Sequence, residues 1–225
     1  MIYTSITGNG NIVVTTQNNS VHQSGGGTQI VNQNNSIHQN TSSSSNNQFI
    51  GSNADDIFAN TLGSDYIDGK GGFDVVVFSN NDNTIKLNKK GWQNTGDGRD
   101  KLISIEGVGG GAGDDWLIAH NRFDSDLIGG TGDDWLTAGA KGEDIMWGGK
   151  GIDTFELKKG GGHSIIQDYK AGDDWVYINA PFRQVSVDTS GKDLLVYQGN
   201  DLIAEFAEMG RKDLWHDGGK NWYIA

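Results

Sequence analysis

The chain has 225 residues, with 17 basic and 29 acidic side chains, which gives a formal net charge of −12. Glycine occurs 35 times, proline once and cysteine not at all, and only 35% of the residues are hydrophobic. This composition excludes disulfides and thiolate metal sites, and it makes nucleic acid an unfavourable partner because the surface repels phosphate. No apolar run approaches the roughly 18 residues of a membrane span. A core this poor in hydrophobic residues predicts an external stabiliser.

The first fifty residues form a separate, uncharged segment. Residues 1–49 contain no Asp, Glu, Lys or Arg, and 30 of these 49 residues are Asn, Gln, Ser or Thr. The sequence of Gln17–Gln23 returns almost unchanged sixteen residues later, at Gln33–Gln39. We interpret residues 1–50 either as strands joined by turns or as a flexible polar leader. Asn and Gln side chains stack well between strands, so the ordered form predicts self-association.

A nine-residue period runs through the middle of the chain. Glycine recurs at positions one, two and four, Asp at position six and a hydrophobic residue at position eight. Gly129–Thr137 is the cleanest copy, and Ser125 replaces the position-six Asp in one copy. The eight copies span residues 51–59, 60–68, 69–77, 110–118, 120–128, 129–137, 139–147 and 148–156. Such a regular repeat predicts stacked units.

The chemistry of one unit predicts both its shape and its ligand. Glycines permit a tight turn over the first six residues, and the last three form a short strand with one inward side chain. If two units make one coil, Asp134 lies above Asp153 and beneath Asp115, and Asp56 lies above Asp74. Closely spaced carboxylates raise each other's pKa unless a cation lies between them. Oxygen-only ligands suit Ca²⁺, so the repeat predicts several calcium ions.

The pattern Gly-Gly-x-Gly-x-Asp-x-hydrophobic-x resembles the repeats of RTX (hemolysin-type calcium-binding) proteins. The resemblance implies an all-β fold, a right-handed parallel β-roll or β-solenoid, with Ca²⁺ bound between stacked turns. It also implies type I secretion through a one-step channel, directed by an uncleaved carboxy-terminal signal. The side chains that it assigns as calcium ligands are Asp56, Asp65, Asp74, Asp115, Asp134, Asp144 and Asp153.

The remainder of the chain is divided around this roll. The calcium-binding repeats occupy residues 51–167, with an inserted segment at 78–109 in which residues 84–87 are predicted to form a strand covering the roll. Residues 166–176 resemble the family's exit from the roll, where Asp168 and Asp174 are assigned to a last ion. Residues 168–225 are interpreted as a β cap and secretion signal, with hairpin strands over 185–203 and a short helical turn over 204–209.

The remaining question is what the roll contacts. Trp116 and Trp135 both occupy position seven, which faces outward, so another segment covers them or they contact a protein or a polysaccharide. The sequence contains no His-Glu-x-x-His and no Gly-x-Ser-x-Gly motif, and we expect no enzymatic activity. We therefore predict a secreted, extracellular calcium-binding protein that folds on meeting calcium and has a structural or adhesive role at the cell surface or in matrix. The alternative is a polysaccharide-binding or polysaccharide-modifying accessory module.

Overall fold

The computed structural model describes the backbone of residues 3–6, 12–15, 21–24, 29–31, 37–40, 46–209, 212, 214–216 and 221–224. Side chains are described from residue 46 onward, apart from those at 182, 216 and 221. The predicted self-association of the amino-terminal segment therefore concerns side chains that lie outside the described residues. The described residues contain no α-helix. Their single 3₁₀ helix is not long and apolar enough to cross a membrane.

The described chain consists of short strands and one 3₁₀ helix. In chain order they are β1 Tyr3–Ile6, β2 Ile12–Thr15, β3 Val21–Ser24, β4 Gln29–Val31, β5 Ile37–Asn40, β6 Gln48–Ile50, β7 Ile57–Ala59, β8 Tyr66–Asp68, β9 Val75–Val77, β10 Thr84–Lys86, β11 Gln93–Asn94, β12 Arg99–Ile103, β13 Gly107–Ala112, β14 Trp116–Ile118, β15 Ser125–Thr131, β16 Trp135–Thr137, β17 Glu143–Lys150, β18 Thr154–Leu157, β19 His163–Ile166, β20 Trp175–Ile178, the 3₁₀ helix Phe182–Gln184, β21 Val185–Asp188, β22 Leu194–Gln198, β23 Asp201–Phe206, β24 Leu214–His216 and β25 Asn221–Ile224.

Most of these strands lie in parallel stacks. One stack is an eleven-stranded sheet in the order β21-β22-β23-β19-β17-β15-β13-β9-β7-β5-β3. The facing strands form a five-stranded sheet, β11-β12-β8-β6-β4, and a seven-stranded sheet, β10-β14-β16-β18-β20-β25-β24. Equivalent positions of the repeat are in register, as in the pairs Ile57 with Val75 and Trp116 with Trp135. The predicted all-β parallel β-solenoid is confirmed.

The core is a column of side chains from position eight of the repeat. All eight of these residues are 0% exposed: Phe58, Ile67, Val76, Leu117, Leu127, Leu136, Met146 and Phe155. Position seven is less uniform than the repeat predicts, because Ile57 and Val75 are only 4% exposed while Trp116 and Trp135 face outward. One inward side chain per strand gives a thin core, which fits the low hydrophobic content of the chain.

The segment over residues 78–109 interrupts one face of the solenoid. Strand β10 pairs in parallel with β14, and β12 pairs in parallel with β8, so the two facing sheets end against each other here. The strand predicted over 84–87 exists, but it does not cover the roll. It lies within the stack, because Ile85 provides a fully buried inward side chain. Gln93 bridges the break: its amide oxygen accepts a hydrogen bond from Lys86 N at 3.0 Å, and its amide nitrogen donates to Lys86 O at 3.3 Å.

The carboxy-terminal part closes the solenoid with antiparallel strands. Strands β21, β22 and β23 form successive hairpins, and β23 joins the last coil through parallel pairing with β19. The predicted β cap is therefore present. The helical turn predicted over 204–209 is wrong at its start, since Ala204 and Phe206 belong to β23 and both are 0% exposed. The strand continues through both residues, and the turn begins only after Phe206.

Candidate metal centre

The carboxylates at position six form columns along the solenoid, as the repeat predicts. Each lies directly before a strand or within its first two residues, and the parallel register places equivalent residues of successive coils beside one another. The position-six residues are Asp56, Asp74, Glu106, Ser125, Asp144 and Ser164 in the eleven-stranded stack, Asn47, Asp65 and Asp100 in the five-stranded stack, and Asn83, Asp115, Asp134, Asp153 and Asp174 in the seven-stranded stack. The seven repeat carboxylates predicted as ligands are each at most 2% exposed.

The longest unbroken run of carboxylates lies along the seven-stranded sheet, and one oxygen of each holds neighbouring turns together. Asp134 Oδ1 accepts a hydrogen bond from the backbone N–H of Asp115 at 2.8 Å. Asp153 Oδ1 accepts from Asp134 N at 3.0 Å, and Asp174 Oδ1 accepts from Asp153 N at 3.0 Å. The same contact links Asp74 Oδ1 to Asp56 N at 2.7 Å on the opposite face. Each coil is thereby connected to the next through a charge-assisted hydrogen bond.

The second carboxylate oxygen has no such partner at four of these positions. Oδ2 of Asp74, Asp115 and Asp134 and Oδ1 of Asp144 are buried without a hydrogen-bond donor among the described residues. A Cβ atom added to Gly129 would collide with Asp134 Oδ2 and would lie 2.6 Å from the carbonyl oxygen of Gly148. A carboxylate oxygen and a carbonyl oxygen from the next coil therefore face the same small space. Oxygen donors of these two kinds are those that Ca²⁺ prefers.

Burial raises the pKa values of these carboxyl groups. Desolvation is the main cause in every case, and neighbouring carboxylates add to it. The pKa values of Asp74 and Asp134 are raised to about 8, and those of Asp115, Asp144 and Asp153 to about 7. No three His, Cys, Asp or Glu side chains converge within the described part of the chain. An ion here would therefore bind one or two carboxylates together with turn carbonyls.

Four of the other predicted ligands, Asp56, Asp65, Asp168 and Asp174, are better supplied with donors. Asp65 accepts four hydrogen bonds, and Asp56 Oδ2 accepts two from Ser52. Asp168 accepts two from backbone N–H groups of the preceding coil, one at each oxygen. Asp174 also has a donor for each oxygen, and burial raises its pKa as it does that of Asp168. These contacts make an ion less necessary at Asp65, Asp168 and Asp174 than at the four unpartnered oxygens.

One further buried carboxylate of the same kind, Asp100, was not predicted. Asp100 is 0% exposed and accepts a hydrogen bond from Asp65 N at 2.7 Å, and burial raises its pKa to about 6. The signal was present, because Thr95–Ile103 carries glycine at positions two and four, Asp at six and leucine at eight. Glu106 and Asn83 also occupy position six, but no repeat pattern surrounds them that would have identified them.

A second set of carboxylates, at position five, has a different role. Asp114 Oδ1 accepts a hydrogen bond from Asp133 N at 2.8 Å, and Asp133 Oδ1 accepts one from Ile152 N at 2.8 Å. Asp124 Oδ1 receives the corresponding bond from Glu143 N at 2.9 Å. These side chains lie at the exposed edge of the turns. They satisfy backbone donors between coils and are not candidates for a buried ion.

The comparisons with known proteins do not assign a family. No family model matches the chain, and no curated protein matches it. Among solved structures, the chain is similar to the extracellular lipase LipA from Serratia marcescens, with 14% identity and a TM-score of 0.29 over 73% of this chain. The match covers 38% of the lipase, so the chain spans well under half of that protein's length. A likeness this distant assigns neither family nor activity, and the expected lack of enzymatic activity stays a prediction.

Proposed function

We propose that the chain is a calcium-binding β-roll of the RTX type. The observation that supports this function is the set of buried, unpartnered oxygens of Asp74, Asp115, Asp134 and Asp144. When bound, Ca²⁺ supplies the positive charge that these carboxylates lack. The protein contributes carboxylates already fixed by the backbone hydrogen bonds between coils, and the turn carbonyls, such as Gly148 O, that face the same space.

We further propose that calcium drives folding. Burying ionised carboxylates costs free energy that the thin core does not offset, so the chain opens where the ion is scarce. Where the ion is abundant, the free energy of binding becomes free energy of folding. Dissociation constants of roughly 10⁻⁴–10⁻³ M, typical of extracellular calcium modules, place this transition outside the cell. The resemblance of the repeat motif to RTX proteins supports an extracellular location and type I secretion. The exposed Trp116 and Trp135 support a structural or adhesive role at the surface.

A calcium titration followed by far-UV circular dichroism tests this proposal. We expect a cooperative gain of β signal with Ca²⁺ and little change with Mg²⁺. Asp134→Asn should then reduce the calcium-dependent gain in the free energy of unfolding, by about 2.7 kcal/mol if one site is lost at an ion concentration 100 times its Kd. Asp133→Asn is the matched control, because this neighbouring side chain lies at position five and bonds only to backbone. A chain that folds fully in chelator and ignores calcium would contradict the proposal.

A polysaccharide-binding function is the second candidate, because a row of indole rings remains exposed on the seven-stranded sheet. Trp116, Trp135 and Trp175 are 44%, 38% and 41% exposed, respectively. Two of the rings are held by their Nε1–H groups, which donate to Thr137 Oγ1 and to Glu156 Oε2, each at 3.1 Å. Fixed, exposed aromatic rings are suitable platforms for the apolar faces of sugars.

Tryptophan fluorescence during titration with neutral polysaccharides tests this second function. Trp135→Ala should weaken binding about tenfold, equivalent to about 1.4 kcal/mol, because it removes the central ring of the row. Trp147→Ala is the control, since Trp147 lies at position nine on the opposite sheet. Equal affinity of the Trp135→Ala variant and the unmodified chain would exclude the indole row as the binding surface.

A further inference from the structure

A cleft opens where the five-stranded and seven-stranded sheets end against each other. Its larger part, about 530 Å³, is lined by residues 87–91, residues 101–105, His120 and Phe123. A smaller part, about 470 Å³, is lined by Asn88, Lys90 and residues 120–123. The two parts share four residues and form one groove, which we call the basic cleft (residues 87–91, 101–105 and 120–123). It is separate from the carboxylate columns and from the exposed indole row.

The charge of the basic cleft is opposite to that of the protein. Its lining includes Lys89, Lys90, Lys101 and Arg122, and it includes no Asp or Glu, although the chain contains 29 acidic residues. Among the described residues, none of these four cations forms an ion pair with a carboxylate. Lys101 Nζ lies 5.3 Å from the centre of the Tyr66 ring, a contact that leaves its charge without a carboxylate partner. A group of cations without carboxylate partners in a protein of net charge −12 is complementary to an anionic ligand.

The distribution of groups along the basic cleft indicates what kind of anion fits it. Lys101 lines only the larger part, Arg122 only the smaller part, and Lys90 both. The positive charge is thus spread along the groove, which suits a ligand with several separated negative groups better than a single small ion. Phe123 is 64% exposed at the junction of the two parts, and Asn88 provides an amide for hydrogen bonding.

We propose that the basic cleft binds an acidic oligosaccharide, with carboxylate or sulfate groups on successive sugars. The Lys and Arg side chains pair with the acidic groups, the Phe123 ring packs against a sugar face, and the Asn88 amide bonds to hydroxyl groups. Nucleic acid fits less well, because the dense phosphate charge of its backbone would meet the repulsion of the whole protein. This proposal depends on the cleft alone and not on calcium binding at the repeats.

The test uses the full chain in millimolar calcium, with its fold verified by circular dichroism. The probes are a short oligogalacturonate, a carrageenan hexasaccharide with a single sulfate on each disaccharide, and fully methyl-esterified oligogalacturonate as the uncharged control. Isothermal titration calorimetry should detect binding of a charged probe, weakened by added salt, and no binding of the ester. Lys89→Gln combined with Lys90→Gln should weaken the affinity at least about tenfold, or about 1.4 kcal/mol.

The matched control is Lys141→Gln combined with Lys159→Gln, which removes the same charge from two lysines outside the basic cleft. This control should leave the affinity within about twofold, or about 0.4 kcal/mol. Equal weakening by both double variants would show only general charge attraction or calcium bridging and would overturn the proposal. So would equal binding of the esterified probe, binding of neither charged probe, or tighter binding of a single-stranded oligonucleotide of equal charge.

Discussion

Without divalent ions, the folded chain should lose stability as the pH rises from about 4 to about 8. The pKa values of Asp74 and Asp134 are raised to about 8 in the folded chain, whereas an unfolded Asp titrates at about 3.9. Between these values the folded state binds more protons than the unfolded state, so raising the pH favours unfolding. The stabilisation is fully present below the unfolded pKa and is lost as the pH rises through the folded pKa. Each such group contributes a slope of up to about 1.4 kcal/mol per pH unit.

Urea unfolding at a series of pH values, in chelator and in calcium, measures this effect. In chelator the series starts at acidic pH, where the protonated carboxyl groups leave the chain folded, and ends at the pH where the chain opens. In chelator the free energy of unfolding should fall with pH, and Asp134→Asn should make the decline shallower because it removes one titrating group. In saturating calcium the decline should disappear or reverse, since the ion binds the ionised carboxylates and displaces their protons. Stability that rises with pH in chelator would show that these carboxylates are stabilised by something other than protons or calcium.

Gly132→Ala should be strongly destabilising, although it adds only one methyl group. Gly132 has φ +128°, a conformation that disfavours any side chain, and an added Cβ atom would collide with the carbonyl oxygen of Gly113 in the preceding coil. Strain and collision together are expected to lower the free energy of unfolding by about 3–5 kcal/mol. Thermal and urea unfolding in saturating calcium measure the loss.

Substitutions at two other glycines separate the cost of backbone strain from the cost of steric collision. Gly161 has φ +84° but an added Cβ would meet no atom within 4 Å, so Gly161→Ala reports backbone strain alone, about 1–2 kcal/mol. Gly191 lacks a positive φ, and its added Cβ would meet atoms no closer than 3.9 Å, so Gly191→Ala should be almost neutral. If Gly132→Ala and Gly161→Ala cost the same, close contact between coils is not what fixes glycine in the turns.

The sequence predicted the fold because two independent features of the repeat indicate it. The hydrophobic residue at position eight determines which side chain enters the core, and the glycines determine where each turn lies. The same frame placed Asp115, Asp134 and Asp153 in one column, which the register of β14, β16 and β18 reproduces. A regular repeat leaves few alternative ways to bury one side chain per strand, and for that reason the fold is predictable from the sequence.

The sequence did not reveal how the carboxylates differ from one another. Seven repeat Asp residues look equivalent in sequence, yet Asp65 receives four hydrogen bonds while Asp134 has an oxygen with no donor. The difference comes from departures from the repeat motif, such as Thr61, which replaces glycine at position two and whose hydroxyl donates to Asp65 Oδ2. The path of residues 78–109 was also unpredictable in detail, because β10 and β12 join different sheets.

The break between the two facing sheets gives the solenoid a mechanical weak point. The eleven-stranded sheet runs past this position without interruption, whereas the opposite face is bridged by the Gln93 side chain and by a backbone hydrogen bond from Thr84 N to Thr95 O at 2.8 Å. Bending stiffness is therefore lower here than elsewhere along the axis. Tension between the two ends of the roll would concentrate at this joint, with the unbroken sheet as the hinge and the basic cleft on the side that opens.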